Sequence, residues 1–226
     1  MSLSDADLLR LPSGRHRLSR ERVSHSQRLR MLAAMFQAVG ERGWAGTRIA
    51  DVVSVAGVSR ATFYEHFSGI DECLAEALDA GLSELLDILD AEARRRRDDP
   101  GMDLPTRMRA FFDGYVFALK ANPGFATVIH VETLRSTDLV RAHRAVLLAK
   151  LASRVQRAYE AQRRVDPTLQ ERPESFFLML VGGMDEIMRE RIRTLGADTG
   201  IEGFADEAAQ LTTLALVPDR APRKRS

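Results

Sequence analysis

The side chains with the most distinctive chemistry lie in one short segment that begins at Ser59. They are small, hydroxyl-bearing, aromatic or basic, and nearly all can contact a phosphate or the edge of a base: Ser59, Arg60, Ala61, Thr62, Tyr64 and His66. An arginine here can donate two hydrogen bonds to guanine O6 and N7, which is worth about 1–3 kcal/mol of discrimination. A structural helix would need apolar residues at Phe63 and Phe67 but not this polar face. The pattern therefore favours contact with nucleic acid over simple packing.

Two predicted helices precede this segment and would position it. Apolar residues recur at helical spacing from Leu32 to Val39, after a cap at Ser24 or Ser26 and before Gly40 or Gly43. The same spacing recurs from Ile49 to Ala56, after a Thr47 cap and before Gly57. A supporting helix followed by two short helices with a glycine turn between them is typical of a helix-turn-helix. The second short helix of that motif enters the major groove of DNA.

Charge is distributed unevenly along the chain. The net charge of the 226 residues is only +1, but the segment from Arg10 to Ile70 holds ten Lys and Arg against four Asp and Glu. Such a basic segment suits a polyanionic partner. We expect residues 1–23 to form a flexible basic arm, with Arg15, Arg17, Arg20 and Arg22. The arm either contacts a minor groove or the DNA backbone, or is a solvated tail.

The remainder of the chain also reads as helical. A long helix is predicted from Gly69 to about Arg97, followed by amphipathic segments at Leu104–Ala121, Gly124–Leu134, Thr137–Arg164, Pro173–Leu195 and Ile201–Leu216. Strict apolar and polar alternation bounded by hairpin turns is absent, so we predict an all-α fold. The predicted units are the arm at 1–23, a three-helix helix-turn-helix domain at 24–70, a larger helical bundle at 71–217 and a disordered tail at 218–226.

The sequences TRIADVV (residues 47–53) and AGVSRATFYEHF (residues 56–67) resemble the signature of the TetR, or tetracycline-repressor, family. This resemblance implies that Thr47 caps the second helix and touches a phosphate, and that Arg48 reaches the backbone or a base. It also implies that Ser59 caps the third helix, that Arg60, Ala61 and Thr62 contact the major groove, and that Tyr64 and His66 hold phosphates. Two residues depart from the pattern: Ile70 replaces a phosphate-contacting lysine, and Glu65 adds negative charge near the DNA.

One DNA-binding domain of this size recognises few base pairs, so we expect a homodimer on a palindromic operator. The resemblance implies that the last two long helices form a four-helix interface. Gly182 and Gly183 weaken the first of these helices, which is explained either by close approach of a second helix or by a kink. The family's ligand cavity would involve aromatic and polar residues that are also typical of a plain core: Phe111, Phe112, Tyr115, Phe117, Phe125 and His130. The chain is thus predicted to be a transcriptional regulator, a repressor released from DNA by a small apolar effector.

Three alternatives remain open at this point: a ligand-insensitive regulator or activator, an enzyme with its site in the bundle, and a structural interaction protein. No phosphate-binding glycine loop, His-Glu-x-x-His motif or Cys and His cluster supports an enzyme, and the neighbours Asp185 and Glu186 point apart on a helix. We therefore predict no enzyme activity, metal or cofactor, and a packing role for Cys73. The longest apolar stretch, residues 176–181, is too short to cross a membrane, so a cytoplasmic protein without a membrane partner is expected.

Overall fold

The computed structural model describes residues 20–95 and 102–217, and all regular structure in these ranges is helical. Within them lie nine α-helices and one short 3₁₀ helix, Glu132–Arg135, between the sixth and seventh. The α-helices are α1 (Arg20–Arg42), α2 (Ile49–Ala56), α3 (Arg60–His66), α4 (Ile70–Arg95), α5 (Leu104–Ala121), α6 (Pro123–His130), α7 (Asp138–Arg163), α8 (Glu174–Gly200) and α9 (Phe204–Leu216). The predicted all-α fold is confirmed.

The first three helices form a small unit around apolar side chains. α1 supplies Met35 and Phe36, α2 supplies Val52 and α3 supplies Phe63, all of them fully or almost fully buried. α1 is already helical at Arg20, so residues 20–23 belong to this helix, which extends beyond the predicted cap at Ser24, and not to a flexible arm. The predicted arm residues Arg15 and Arg17 and the predicted tail at 218–226 lie outside the described residues.

α4 joins this unit to the larger bundle. Its first half packs on α1 through buried residues that include Cys73, whose thiol is free. Burial raises the pKa of the Cys73 thiol well above its ordinary value, so the thiol stays protonated and acts as a packing group, as predicted. In the bundle, α5 runs antiparallel to α9, with Phe112 against Phe204 and Arg109 paired with Asp206.

α6 is the element through which the bundle contacts α1. Asn122 ends α5 and caps α6, since its side chain accepts a hydrogen bond of 2.9 Å from the Phe125 backbone N–H. Gly124 lies so close to α1 that a Cβ at this position would be 2.8 Å from the Phe36 carbonyl oxygen. The predicted helix from Gly124 to Leu134 is interrupted after His130, where the chain tightens into the 3₁₀ helix.

α8 contains one break in its helical geometry. Its backbone is non-helical at Gly196, with φ 79° and ψ 164°, next to the predicted end at Leu195. Within the described ranges, no helix is sufficiently long and apolar to cross a membrane.

Candidate nucleic-acid interface and ligand cleft

The start of α3 is fixed by a side-chain cap. Ser59 Oγ accepts a hydrogen bond of 3.0 Å from the Thr62 backbone N–H and lies 2.9 Å from Thr62 Oγ1. On the inner face, the buried Phe63 ring contacts Phe67 at a centroid distance of 5.4 Å. The predicted cap at Ser59 and the predicted core roles of both phenylalanines are confirmed, and the outer face of α3 turns to solvent.

Arg60 and Tyr64 form the most accessible part of that outer face. Tyr64 is 49% exposed, and the Arg60 guanidinium lies 5.8 Å from the centre of its ring. Arg60 Nη2 is 3.4 Å from the Tyr64 hydroxyl. This stacking supports the arginine along the helix surface without burying its donors. Ala61 beside them is also exposed, while Thr62 is half-buried.

His66 lies at the edge of this face and is half-buried. Burial, followed by the nearby Arg28 cation, lowers the pKa of His66, so its imidazole is neutral at pH 7 and has one N–H to donate. The Arg28 guanidinium pairs with Glu76 and lies 4.9 Å from the Phe67 ring centre. Arg28 therefore ties α1 to α3 and α4 and is already engaged within the protein.

The turn before α2 differs from the prediction. The N-cap of α2 is Arg48, whose backbone N–H donates a 2.8 Å hydrogen bond to the Asp51 carboxylate. Thr47 is buried, and its hydroxyl donates back to the Gly43 carbonyl at 2.8 Å. The predicted capping role of Thr47 is therefore wrong, because the 43–47 turn directs its hydroxyl toward the end of α1. The Arg48 side chain is exposed at the entrance to α2.

The angle between α2 and α3 depends on Gly57. Its φ of 62° lies in the left-handed region, which glycine adopts without a steric penalty. Arg30 Nη1 on α1 donates a 2.9 Å hydrogen bond to the Ala56 carbonyl at the end of α2. These contacts complete the predicted glycine turn of a helix-turn-helix.

An open groove runs along the exposed side of this unit. Arg48 and Arg60 both line it, together with Trp44 and Ile70. Glu72 lies near Ile70 at the start of α4. Its carboxylate accepts a 2.6 Å hydrogen bond from the Ser68 backbone N–H. The two hydrogen bonds from Ser68 lower the pKa of Glu72, so a negatively charged carboxylate lies two residues after Ile70, the position at which the resemblance implies a lysine. Within the groove, cationic contacts therefore come from Arg48 and Arg60.

A second candidate site is an apolar cleft in the bundle between α5, α7, α8 and α9. Its interior has room for about one water molecule. The lining residues are Phe111, Phe112, Tyr115, Leu148, Leu151, Val181, Met184, Asp185 and Phe204. Three of the predicted effector residues, Phe111, Phe112 and Tyr115, are thus brought together. Phe117 is 66% exposed and does not line this cleft.

A chain of buried polar groups begins at the wall of the cleft. The Tyr115 hydroxyl lies 3.0 Å from His130 Nε2, and His130 Nδ1 lies 2.9 Å from Asp185 Oδ1. The other Asp185 oxygen pairs with Arg144. Because the carboxylate of such an ion pair only accepts, His130 donates from Nδ1, and Tyr115 donates to Nε2. Burial, followed by the nearby Asp185 carboxylate, raises the pKa of Tyr115 well above its ordinary value, so the hydroxyl remains a donor.

Sequence reasoning missed Asp185 and Arg144 as members of this cluster. Asp185 follows Val181 by one helical turn and is almost fully buried. An acidic residue on the apolar face of α8 was therefore the sequence feature that could have indicated this cluster. His130 is also fully buried and lies behind Tyr115. Phe125 lines a different cleft, between α4 and α5, and its ring meets Phe36 of α1 at 5.3 Å.

The helices predicted for a dimer interface carry exposed apolar side chains: Leu178, Met179, Leu195, Leu211 and Leu214. α8 remains regularly helical at Gly182 and Gly183, so the kink interpretation of this pair is wrong. Apart from the adjoining residues and the backbone of the same helix, no atom lies within 4 Å of a Cβ built at either glycine. Neither residue is therefore required for packing within the described parts of the chain.

Comparison with known proteins agrees with this architecture. Residues 32–77 match the family model of bacterial regulatory proteins, tetR family. The curated proteins give no match. The solved structures that resemble the chain include the transcriptional regulator FadR from Bacillus subtilis in complex with stearoyl-CoA, at 10% identity and a TM-score of 0.68, covering 84% of this chain and 99% of that chain.

Two further solved structures are similar. The fatty acid degradation regulator FadR from Bacillus halodurans has 16% identity and a TM-score of 0.69, covering 82% of this chain and 94% of that chain. A TetR-like transcriptional regulator from Rhodococcus sp. RHA1 has 18% identity and a TM-score of 0.61, covering 87% and 96%. At these identities, the likeness establishes the fold.

The family match includes both short helices and the start of α4, which is the segment whose sequence resembles the signature. The family and the structural neighbours are transcriptional regulators and not enzymes, in agreement with the prediction. Residues 32–77 therefore match the DNA-binding domain of the tetR family of regulatory proteins, and the described helices as a whole have the fold of the solved regulators.

Proposed function

We propose that this regulator is a repressor: a cytoplasmic homodimer that binds a palindromic operator and leaves it when a small apolar effector enters the bundle. The observation that carries the DNA-binding part is the outer face of α3. Its Arg60 and Tyr64 are exposed beside the groove that Arg48 also lines. Arg60 would read a base pair in the major groove, while Arg48 and the neutral His66 would hold phosphates.

A dimer supplies the specificity that one short recognition helix lacks. Two α3 helices related by a two-fold axis would contact successive major grooves, about 34–36 Å apart, and so require a palindrome. The apolar side chains exposed on α8 and α9, including Met179 and Leu214, would be buried by the same helices of a second copy. Gly182 and Gly183, with open space around them, would permit close approach of that copy.

The effector is inferred from the lining of the cleft. Its walls are mostly aromatic and aliphatic, and Tyr115 and Asp185 are the polar exceptions. This composition favours a molecule with an apolar body, such as an acyl chain or aromatic ring, and one hydrogen-bonding group. FadR from Bacillus subtilis was solved with stearoyl-CoA, whose stearoyl group is such an acyl chain.

Release from DNA would follow from the small size of the cleft. Because its interior has room for about one water molecule, an effector must separate the surrounding helices. The effector would bind the opened bundle more tightly than the closed one, and the ratio of these affinities limits the shift in DNA binding. A ligand with equal affinity for both states would not release the protein from DNA.

The test is fluorescence-polarisation binding to the DNA upstream of the chain's own gene, at two salt concentrations, with scrambled DNA as the control. Tight, salt-sensitive binding with a preference for the native sequence is expected, because phosphate contacts release counterions and base contacts give specificity. Selection from random DNA then distinguishes a distant operator from an incorrect assignment. If selection also yields no preferred sequence, the proposal is wrong.

A further inference from the structure

Glu132 belongs to the helical bundle, but its carboxylate lies against the DNA-binding domain. The residue is in the 3₁₀ helix after α6 and is 6% exposed. Its Oε2 accepts a 2.7 Å hydrogen bond from the backbone N–H of Trp44, 88 residues earlier in the chain. The nearest cation is the exposed Arg135, at 3.6 Å from Oε1. A buried carboxylate is costly unless it is hydrogen-bonded, so this contact strongly favours one position of the turn.

The turn that receives this hydrogen bond determines where the DNA-binding groove begins. Gly43, with φ 70°, ends α1, and a Cβ on it would stand 3.4 Å from Glu132 Oε2. Trp44 follows directly and lines the groove together with Arg48 and Arg60. A shift of the turn would therefore move the cationic side of the groove relative to α3.

The segment that carries Glu132 is held rigidly from the bundle side. His130, two residues earlier, is fixed to Tyr115 and Asp185 in the buried cluster. Thr133 next to Glu132 is buried, and its hydroxyl donates a 2.8 Å hydrogen bond to the Ile129 carbonyl. The Ser136 hydroxyl donates to the Thr133 carbonyl at 2.7 Å. The carboxylate therefore projects from a segment with little freedom to follow the turn if the turn moves.

We infer that Glu132 is a positioning residue for DNA recognition: through the Trp44 N–H, the bundle holds the 43–48 turn in the geometry that binds the operator. The inference deepens the proposed DNA-binding function and rests on it for its affinity readout. It also has an independent readout, because Trp44 is the single tryptophan of the chain. Intrinsic tryptophan fluorescence therefore reports the state of this turn with or without DNA.

The test compares variants of the full chain that change the charge of the Glu132 side chain and its length separately. Glu132→Gln keeps an oxygen acceptor at the same distance but removes the charge, and Glu132→Asp keeps the charge but withdraws it from Trp44. Glu132→Ala removes both, and Asp87→Ala removes an exposed carboxylate from α4 as the matched control. We expect the Asp and Ala variants to change the Trp44 emission maximum and the quenching of Trp44 by iodide, whereas Gln and the control retain wild-type values.

Operator affinity is expected to follow the same division. The Asp and Ala variants should bind the operator about tenfold more weakly, while Gln binds like the wild type. If Glu132 acted only through its charge, the Ala and Gln variants would both bind the operator more tightly, because each removes a negative charge near the DNA phosphates.

Far-UV circular dichroism checks the fold of each variant. If the Ala variant is unfolded, the contrast between Asp and Gln decides the question. Wild-type Trp44 emission in a folded Asp or Ala variant would overturn the inference. So would equal losses of affinity in the Asp and Gln variants. If the wild type itself prefers no DNA sequence, the proposed function fails while the fluorescence comparison still tests the turn.

Discussion

The proposed DNA-binding face and the proposed ligand cleft are held in shape by contacts of different range. On the face, Ser59 caps the N–H of Thr62 and Asp51 receives the N–H of Arg48, in both cases across three residues. In the buried cluster behind the cleft wall, His130 contacts Asp185 across 55 residues. Exposed side chains on a locally fixed helix can change without loss of folding, whereas the buried cluster couples three helices and the end of a fourth. Substitutions should therefore change affinity at the first region and stability at the second.

The largest effect is expected at the centre of the buried cluster. Asp185→Ala would leave His130 and Arg144 without their shared acceptor in a site where Asp185 is 5% exposed. Breaking a buried pair by removing one partner costs about 3–5 kcal/mol, so the free energy of unfolding should fall by about that amount. Urea denaturation followed by circular dichroism measures it.

Glu186→Ala is the matched control for this experiment. Glu186 is the next residue of α8, but it is exposed and pairs with a neighbour on its own helix, Arg189. Its loss should change the free energy of unfolding by less than about 0.5 kcal/mol. If the two variants lose similar amounts of unfolding free energy, the buried cluster does not hold these helices together.

Arg60→Ala tests the DNA-binding face. The arginine is exposed, so its removal should leave the unfolding midpoint nearly unchanged, but it should weaken operator binding by about 1–3 kcal/mol. Binding to scrambled DNA should fall much less. Tyr64→Phe keeps the ring beneath Arg60 and removes only the hydroxyl, so it should weaken operator and scrambled DNA similarly. Equal operator affinity of both variants and the wild type would disprove the role of α3.

Gly81→Ala sharpens the comparison at the boundary between the two regions. A Cβ on Gly81 would lie 2.8 Å from the ring of Phe125 and 3.2 Å from that of Phe36. Overpacking of this kind destabilises by about 1–3 kcal/mol, and we expect a fall of that size in the free energy of unfolding. Ser83→Ala is the control, because Ser83 is exposed on the same helix as Gly81 and alanine favours a helix. If Gly81→Ala is as stable as this control, the junction is looser than the contacts indicate.

The same difference in range explains which features the sequence predicted. The cap at Ser59, the turn at Gly57 and the helical spacing of Phe63 and Phe67 are local patterns, and the structure confirms each. The prediction that Thr47 caps α2 was wrong. Threonine is a common N-cap residue, but here the turn directs its hydroxyl to the Gly43 carbonyl. The choice between these two acceptors depends on the path of the backbone.

Contacts across the bundle had no comparable sequence signal. Glu132 lies in the short 3₁₀ helix, which the sequence pattern did not separate from the predicted helix Gly124–Leu134. Its partner Trp44 is 88 residues earlier, in the N-terminal unit. Tyr115 and His130 were identified by residue type, but only the structure places one in the cleft wall and the other behind it. Pairings of this kind depend on how helices are arranged, which neither composition nor spacing determines.

The smallest effect is expected from His66, which lies beside Arg28 at the edge of the α3 face. Burial and the Arg28 cation lower its pKa below the ordinary value of 6.5, so the unfolded chain binds a proton more readily than the folded one. The contribution of His66 to stability is therefore complete above pH 6.5 and is lost as the pH falls toward the lowered folded-state value. His66→Gln should flatten the dependence of the unfolding midpoint on pH in this window. DNA phosphates stabilise the protonated imidazole, so operator binding should raise the pKa of His66, which NMR titration of its ring protons measures; an unchanged pKa would place His66 away from the phosphates.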